Sequence, residues 1–243
     1  MIVEICSNSI ESVLIANKAN ADRIELCSGL NIGGLTPSTG LIELAVEKSK
    51  IPIHCLIRPR EGHFIYDKYD FKTIIADITK MQSLGVSGIV IGVMTKEYKV
   101  NIKQLDEIIR VSKNLEVTYH RAFDSLKDPE KELKILSSIG VSRILSSGGA
   151  DSAIKGSNRL IRWNSISSKS IEIQPGGGIN ISNVLKFKEA GFKSIHLSGS
   201  SSQKWNNLIP NNINETFFNQ KFKKPNIKKI NNIISLIKNK NSS

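Results

Sequence analysis

The sequence is poor in cysteine, in aromatic residues and in long apolar runs. Three of its 243 residues are cysteines, none in a CxxC pair, and only 6% are aromatic. An odd number of cysteines without paired spacing argues against a disulfide scaffold and against a zinc ribbon. No apolar run approaches the ~18 residues of a membrane span. The amino-terminal segment Met1–Cys6 lacks the basic start of a signal peptide and predicts a strand. We therefore expect a cytoplasmic protein with reduced thiols and no membrane partner.

The chain carries few acidic residues for its many basic ones, and its formal net charge is +12. Such a charge is typical of nucleic-acid-binding proteins. Lysine, however, far outnumbers arginine, and neither arginines nor aromatic residues cluster as they do on surfaces that read or stack bases. The sequence therefore favours no role with nucleic acid.

Apolar, β-branched segments alternate with segments of helical spacing along the first 200 residues. The eight predicted strands are Ile2–Cys6, Arg23–Cys27, Ile51–Arg58, Gly88–Val93, Glu116–His120, Arg143–Ser147, Ile171–Pro175 and Lys193–Leu197. The predicted helices are Ser9–Lys18, Phe71–Leu84, Pro129–Ile139, Ile181–Ala190 and Ile227–Ile237. This alternation indicates parallel βαβ units, and eight units predict a (β/α)8 TIM-type barrel.

A doubly wound open sheet is the alternative fold, but no GxGxxG turn follows the first strand. We predict a single domain, with the barrel over residues 1–200. Residues 201–243 are a divergent C-terminal segment in which Ile227–Ile237 forms a last helix packed on the barrel.

Polar and charged residues stand at the carboxyl ends of the predicted strands, where barrels carry their chemistry. Glu-x-Cys occurs at the end of each of the first two strands, which places a carboxylate and a thiol on one face of each. Three glycines, Gly176, Gly177 and Gly178, follow the seventh strand, at a place where barrels often bind phosphate. The residues that we expect at this mouth are Glu4, Cys6, Glu25, Cys27, His54, Arg58, Arg60, His120, Arg121, Asp124 and the three glycines.

Seven segments, in this order, resemble the CutC family of copper homeostasis proteins. They are Glu-Ile-Cys at 4–6, Ala-Asp-Arg-Ile-Glu-Leu-Cys at 21–27, Gly-Gly-Leu-Thr-Pro-Ser at 33–38, Ile-Arg-Pro-Arg-Glu-Gly at 57–62 with Phe64 and Tyr66, His-Arg-Ala-Phe-Asp at 120–124, Arg-Ile-Leu-Ser-Ser-Gly at 143–148 and Pro-Gly-Gly-Gly at 175–178. The resemblance covers about residues 1–200. It implies a cytosolic (β/α)8 barrel that forms a homo-oligomer and takes part in copper handling, without implying a particular reaction.

Two functional interpretations of the mouth stay open. In the first, Cys6 and Cys27 bind Cu(I), a soft ion that prefers thiolates, in near-linear geometry between neighbouring strands. Cys55 lies on the opposite strand face and is expected to pack in the core.

In the second interpretation the protein is an enzyme for a small phosphorylated or carboxylated molecule. The acid–base groups are then Glu4, Glu25, His54, His120 and Asp124, and the anion-binding groups are Arg58, Arg60, Arg121 and Gly176, Gly177 and Gly178. A scaffold that acts through its oligomer surface is a third possibility. It differs from the other two in predicting that changes at the mouth leave function intact.

Overall fold

A computed structural model describes residues 1–167, 171–203 and 222–238. Its strands are β1 Ile2–Ser7, β2 Arg23–Leu26, β3 Ile53–Leu56, β4 Gly88–Ile91, β5 Glu116–Tyr119, β6 Arg143–Ser146, β7 Glu172–Pro175, β8 Ser194–Leu197, β9 Ser200–Gln203 and β10 Phe222–Pro225. Its α-helices are α1 Ile10–Lys18, α2 Thr39–Lys48, α3 Lys68–Ser83, α4 Ile102–Val111, α5 Pro129–Ile139, α6 Ser157–Ile166, α7 Val184–Glu189 and α8 Ile227–Lys238. Short 3-10 helices span Leu30–Ile32 and Arg121–Ser125.

The first eight strands form one parallel sheet that curls into a barrel. They are hydrogen-bonded in the order β7-β6-β5-β4-β3-β2-β1-β8. A single parallel bridge between Gly176 and His196 joins the two ends of this order. The predicted (β/α)8 barrel is confirmed.

The apolar core lies between the strands and the surrounding helices. Outward-facing strand residues such as Ile5, Ile24 and Ile89 are fully buried there, together with Cys55. The opposite strand faces point into the barrel, and their register pairs charged residues across neighbouring strands. Glu4 lies beside Arg23, and Glu25 lies beside His54. The barrel interior is therefore polar.

Local capping explains where two helices differ from the sequence prediction. α3 begins at Lys68, three residues before the predicted start, because the Asp67 carboxylate accepts hydrogen bonds from the backbone N–H groups of Tyr69 and Asp70. α7 begins at Val184, three residues after the predicted start. There the Asn180 side chain accepts the Ser182 backbone N–H and holds a turn where the helix was expected.

The chain beyond β8 returns to the barrel twice. β9 and β10 form an antiparallel two-stranded ribbon that pairs Ser202 with Lys223 and Ser201 with Lys224. α8 then packs against α1 and α7, and its Ile230 is fully buried. The ribbon brings a segment that is distant in sequence to the carboxyl-terminal mouth of the barrel.

Candidate functional site

A pocket of about 300 Å³ opens at the carboxyl-terminal end of the barrel. Its size is at the lower end of the range for small-molecule sites. Leucine side chains of the strands and of the loop after β2 form part of its wall, and polar residues from six of the eight strands or the loops after them reach it. The pocket therefore combines an apolar wall with a small number of converging polar groups.

Two thiols and two titratable groups lie together on one side of this pocket. The Sγ atoms of Cys6 and Cys27 are 3.7 Å apart, and Cys6 Sγ lies 3.9 Å from a Glu25 carboxylate oxygen. Ligand atoms of Cys6, Glu25 and His196 all lie within 4.8 Å of one another. The juxtaposition follows from the register, in which Cys6 is the partner of Glu25 and Glu4 is the partner of His196.

A buried chain of ion pairs lies under the thiols. His196 Nδ1 is 2.8 Å from a Glu4 carboxylate oxygen, and the other oxygen of Glu4 accepts a hydrogen bond from Arg23 Nε. The Gln174 amide is oriented so that its oxygen faces donors. Its oxygen then accepts a hydrogen bond from Arg23, and its nitrogen donates one to Glu4. Glu4 therefore holds the His196 ring through one nitrogen.

The surroundings of these groups shift their pKa values in different directions. Burial would raise the pKa of Glu4, but the hydrogen bond from His196 and the charge of Arg23 hold that pKa well below its usual range. Burial and the nearby Glu4 charge raise the pKa of Glu25 to about 7. Burial opposes a charged His196, yet Glu25, Cys6 and Glu4 raise its pKa well above the usual value. The hydrogen bond with Cys27 and burial raise the pKa of the Cys6 thiol. A pair of opposite charges, Glu4 and His196, thus lies beside a Glu25 that titrates near neutral pH.

His120 and Arg58 form another part of the pocket wall, with Phe64 between them. The rings of Phe64 and His120 are 4.6 Å apart, and the Arg58 guanidinium lies 5.2 Å from the centre of the Phe64 ring. Burial and the Arg58 charge lower the pKa of His120 to about 3, so this ring is neutral near pH 7. The space for the ring is provided by Gly92, where a Cβ atom would lie 2.4 Å from His120.

The rim of the pocket is cationic. Arg121 is fixed by Asp124, 2.9 Å from its Nε, and by the Ser147 hydroxyl. Gly177 and Gly178 follow β7 with φ values of +95° and +77°, which suit glycine alone, and a Cβ at Gly177 would lie 3.5 Å from Arg121. Lys223 of β10 completes this rim.

Comparison with known proteins places these features in a family. The model of the CutC family matches residues 1–201. The chain belongs to the CutC family. CutC family proteins of Pasteurella multocida (strain Pm70) and Pectobacterium atrosepticum (strain SCRI 1043) are 41% and 40% identical to it, over 82% and 84% of this chain and 82% and 79% of theirs.

A solved CutC structure has the same barrel. It comes from Streptococcus agalactiae, a protein for which copper homeostasis has been proposed, and it matches with 27% identity and a TM-score of 0.77 over 82% of this chain and 98% of its own. The family predicted from the seven sequence segments is therefore confirmed. Within residues 1–167, 171–203 and 222–238, no helix has the length and apolar character that crossing a membrane requires.

Most of the predicted mouth residues reach the pocket. Those that line it are Cys6, Glu25, Cys27, Arg58, His120, Arg121, Gly177 and Gly178. The remaining five predicted residues, Glu4, His54, Arg60, Asp124 and Gly176, do not.

These five residues lie outside the pocket for reasons that differ, and the roles expected for them stay predictions. Glu4 and His54 face the barrel interior one layer below the pocket, where His54 lies 3.8 Å from Glu116. Arg60 points away, to Asp70 at 2.7 Å. The Asp124 carboxylate accepts hydrogen bonds from Ser146, Ser147 and Gly149, and these bonds hold the loop after β6. Gly176 packs where a Cβ would lie 2.4 Å from Leu145.

Two titratable residues of the pocket, His196 and Lys223, were not among the expected site residues. His196 stands two positions after Ser194 on β8, and the alternation of that strand already indicated an inward side chain. No sequence pattern indicates that Lys223 belongs to the pocket. It lies beyond the segment that the CutC model matches, and only the β9–β10 pairing brings it to the rim.

Proposed function

We propose that this CutC protein serves copper homeostasis by binding Cu(I) through Cys6 and Cys27, with His196 as a third ligand. The observation that carries the proposal is the pair of Sγ atoms 3.7 Å apart in an accessible pocket. Thiolates are the ligands that Cu(I) prefers, and an imidazole is a common partner for them. Cys55 is fully buried in the core between barrel and helices and does not contribute.

The thiol spacing favours a bent site over the near-linear one expected from the sequence. With metal–sulfur bonds of ~2.3 Å, two sulfurs in a linear site would be about 4.6 Å apart. At the observed 3.7 Å the same bonds enclose roughly 110° at the metal. Such an angle leaves room at the ion for a third ligand, and His196 lies close to Cys6 among the clustered ligand atoms.

The buried Glu4 supports a ligand role for His196. Histidines that bind metals usually give their second nitrogen to a carboxylate, which sets the ring orientation and strengthens the ligand. Glu4 contacts Nδ1 of His196 at 2.8 Å, so Nε2 is the nitrogen available to an ion. Because Cys6 and His196 are both protonated near neutral pH, copper binding releases protons. We also infer a cytosolic location, since two thiols this close stay reduced only in a reducing compartment.

Anaerobic titration of Cu(I) against a competing chelator tests the proposal. We expect the wild-type protein to bind one Cu(I) per chain and the Cys6→Ser/Cys27→Ser variant to lose this binding. The matched control is Cys55→Ala, which removes the third thiol and should leave the affinity unchanged. Copper binding that is weak in the wild type, or that survives the double substitution, would contradict the thiolate site.

A further inference from the structure

Arg58 is a buried cation without a carboxylate partner. It is 6% exposed, and its Nη atoms donate three hydrogen bonds of 2.8 Å to the backbone carbonyls of Ile32, Gly34 and Gly62. Among the described residues no aspartate or glutamate forms an ion pair with it, and its Nε–H has no hydrogen-bond partner. A guanidinium remains charged in proteins, and a buried charge is costly unless it is paired.

His120 offers a second donor without a partner on the same side of the pocket. Its Nδ1 accepts a hydrogen bond from the Ala122 backbone N–H at 3.1 Å, which places the proton of the neutral ring on Nε2. Nε2 is buried and has no hydrogen-bond partner in the part of the chain that the structure describes. His120 is 6% exposed, and its ring is held by Phe64 and by the space at Gly92.

The side chains that carry these two donors line one pocket that is large enough for a small metabolite, and the donor atoms themselves are enclosed in its wall. A buried donor without an acceptor costs about 1–3 kcal/mol, so two of them on one wall indicate that an acceptor belongs there. Because one of the donors is a cation without a counter-charge, the acceptor that fits is an anionic oxygen. A carboxylate and a phosphate both supply it.

We propose that the pocket binds a small organic anion whose carboxylate or phosphate oxygens accept hydrogen bonds from Arg58 Nε and His120 Nε2. A second anionic group of the same molecule lies at the rim, near Arg121 and Lys223. The ligand class is thus a small molecule with two acidic groups. This site goes beyond copper binding and does not depend on it, because its donors are Arg58 and His120 rather than the two thiols.

Lys223 reaches this rim from outside the segment that the family model matches. It lies on β10, beyond residue 201 where the family match ends, and it lines the pocket. Its neighbour Lys224 points elsewhere, 3.4 Å from the Glu11 carboxylate of α1. The two lysines therefore form a matched pair, with one cation at the rim and one away from it.

Isothermal titration calorimetry of the full-length protein with phosphoglycolate, glycolate and inorganic phosphate tests the proposal. Phosphoglycolate carries both groups, glycolate only the carboxylate and inorganic phosphate only the phosphate. We expect phosphoglycolate to bind more tightly than either. His120→Asn keeps an oxygen for the Ala122 N–H but removes the Nε2 donor, and we expect it to weaken phosphoglycolate binding at least about tenfold.

The rim variants and the thiol variant complete the test. Lys223→Met should weaken phosphoglycolate several-fold, whereas Lys224→Met should bind it as the wild type does. Glycolate and inorganic phosphate show which acidic group occupies the deep position. It is the group carried by the probe whose affinity falls in His120→Asn but not in Lys223→Met. Cys6→Ser/Cys27→Ser should retain phosphoglycolate binding, which separates this site from the copper site.

Two results would overturn the proposal. One is the absence of heat with all three probes at concentrations on the order of millimolar, which is weak for a metabolite site and would mean that water satisfies the two donors. The other is equal affinity of His120→Asn and the wild type for phosphoglycolate, with both proteins folded by circular dichroism.

Discussion

At the scale of single residues, the barrel interior carries charge away from solvent. Arg23 contacts Glu4, and Arg143 contacts both Glu116 and Glu172. Removing one partner of a buried ion pair lowers the unfolding free energy by more than the intact pair contributes, because the remaining charge stays buried. The polar interior therefore positions the pocket residues above it and makes their orientation depend on ion pairs.

His54 is the interior residue whose protonation we expect to be visible in stability. Burial, with the charges of Arg23 and Arg143, lowers its pKa to about 4, from a usual value of 6.5. Between these values the unfolded chain binds a proton that the folded chain does not, so this contribution to stability falls as the pH falls. From pH 7 to pH 5 the wild type should lose about 2 kcal/mol more of its unfolding free energy than His54→Gln.

Urea denaturation at the two pH values measures this difference. The control is His63→Gln, because His63 is exposed on the loop after β3. It should show the wild-type loss. A His54→Gln variant with the same pH dependence as the wild type would mean that His54 does not carry this effect.

At the scale of elements, β4 and the residue after it contain two glycines at places where side chains from the neighbouring strands fill the space. A Cβ at Gly88 would lie 2.7 Å from the His54 ring, and one at Gly92 would lie 2.4 Å from the His120 ring. Real Cβ contacts are not this short, so the strand accommodates histidines from β3 and β5 only because it lacks side chains there. β4 thus leaves room for side chains from both neighbouring strands, of which His120 lines the pocket.

Gly92→Ala should therefore displace His120. We expect a loss of about 1–3 kcal/mol in unfolding free energy, as for other overpacked sites, and weaker phosphoglycolate binding. Thermal denaturation and calorimetry measure the two effects.

The control for this substitution is Gly40→Ala. Gly40 lies in the first turn of α2 with no atom within 4 Å of its missing Cβ. Alanine there should stabilise the helix by up to about 1 kcal/mol. If both variants were equally stable and bound phosphoglycolate equally well, Gly92 would not position His120.

At the scale of the whole molecule, the barrel has one weak seam. β8 pairs with β1 along four residues, whereas β7 and β8 share the single bridge between Gly176 and His196. The Ser194 hydroxyl, which donates to Glu172, adds a side-chain link across this seam. Opening of the barrel should begin there.

Hydrogen exchange followed by mass spectrometry tests the seam. We expect peptides over residues 172–176 and 194–197 to exchange faster than peptides over residues 2–7 and 23–26, because local opening needs fewer hydrogen bonds to break at β7 and β8. Equal protection of all four strands would mean that the barrel opens as one unit.

Eight of the thirteen residues expected at the mouth line the pocket, and the other five lie elsewhere for two reasons. Strand alternation indicates which face a residue occupies, so Cys6, Glu25, Cys27 and His120 were placed correctly. Alternation does not indicate how deep in the barrel a residue lies. The stagger between neighbouring strands sets that depth, and it left His54 one layer below the mouth. The loop residues Arg60 and Asp124 lie outside the pocket because each binds another side chain. Arg60 pairs with Asp70, and Asp124 accepts a hydrogen bond from Ser147.

By itself the sequence determined the number of barrel strands, their alternation with helices, the family and the separation of Cys55 from the other two cysteines. These properties depend on local periodicity and on short motifs, which are written in consecutive residues. Only the tertiary structure decided that the thiols lie 3.7 Å apart, that Glu4 holds His196, and that Lys223 reaches the rim. Those contacts join residues 21 to more than 190 positions apart, and their distances follow from barrel closure and from the packing of the β9–β10 ribbon.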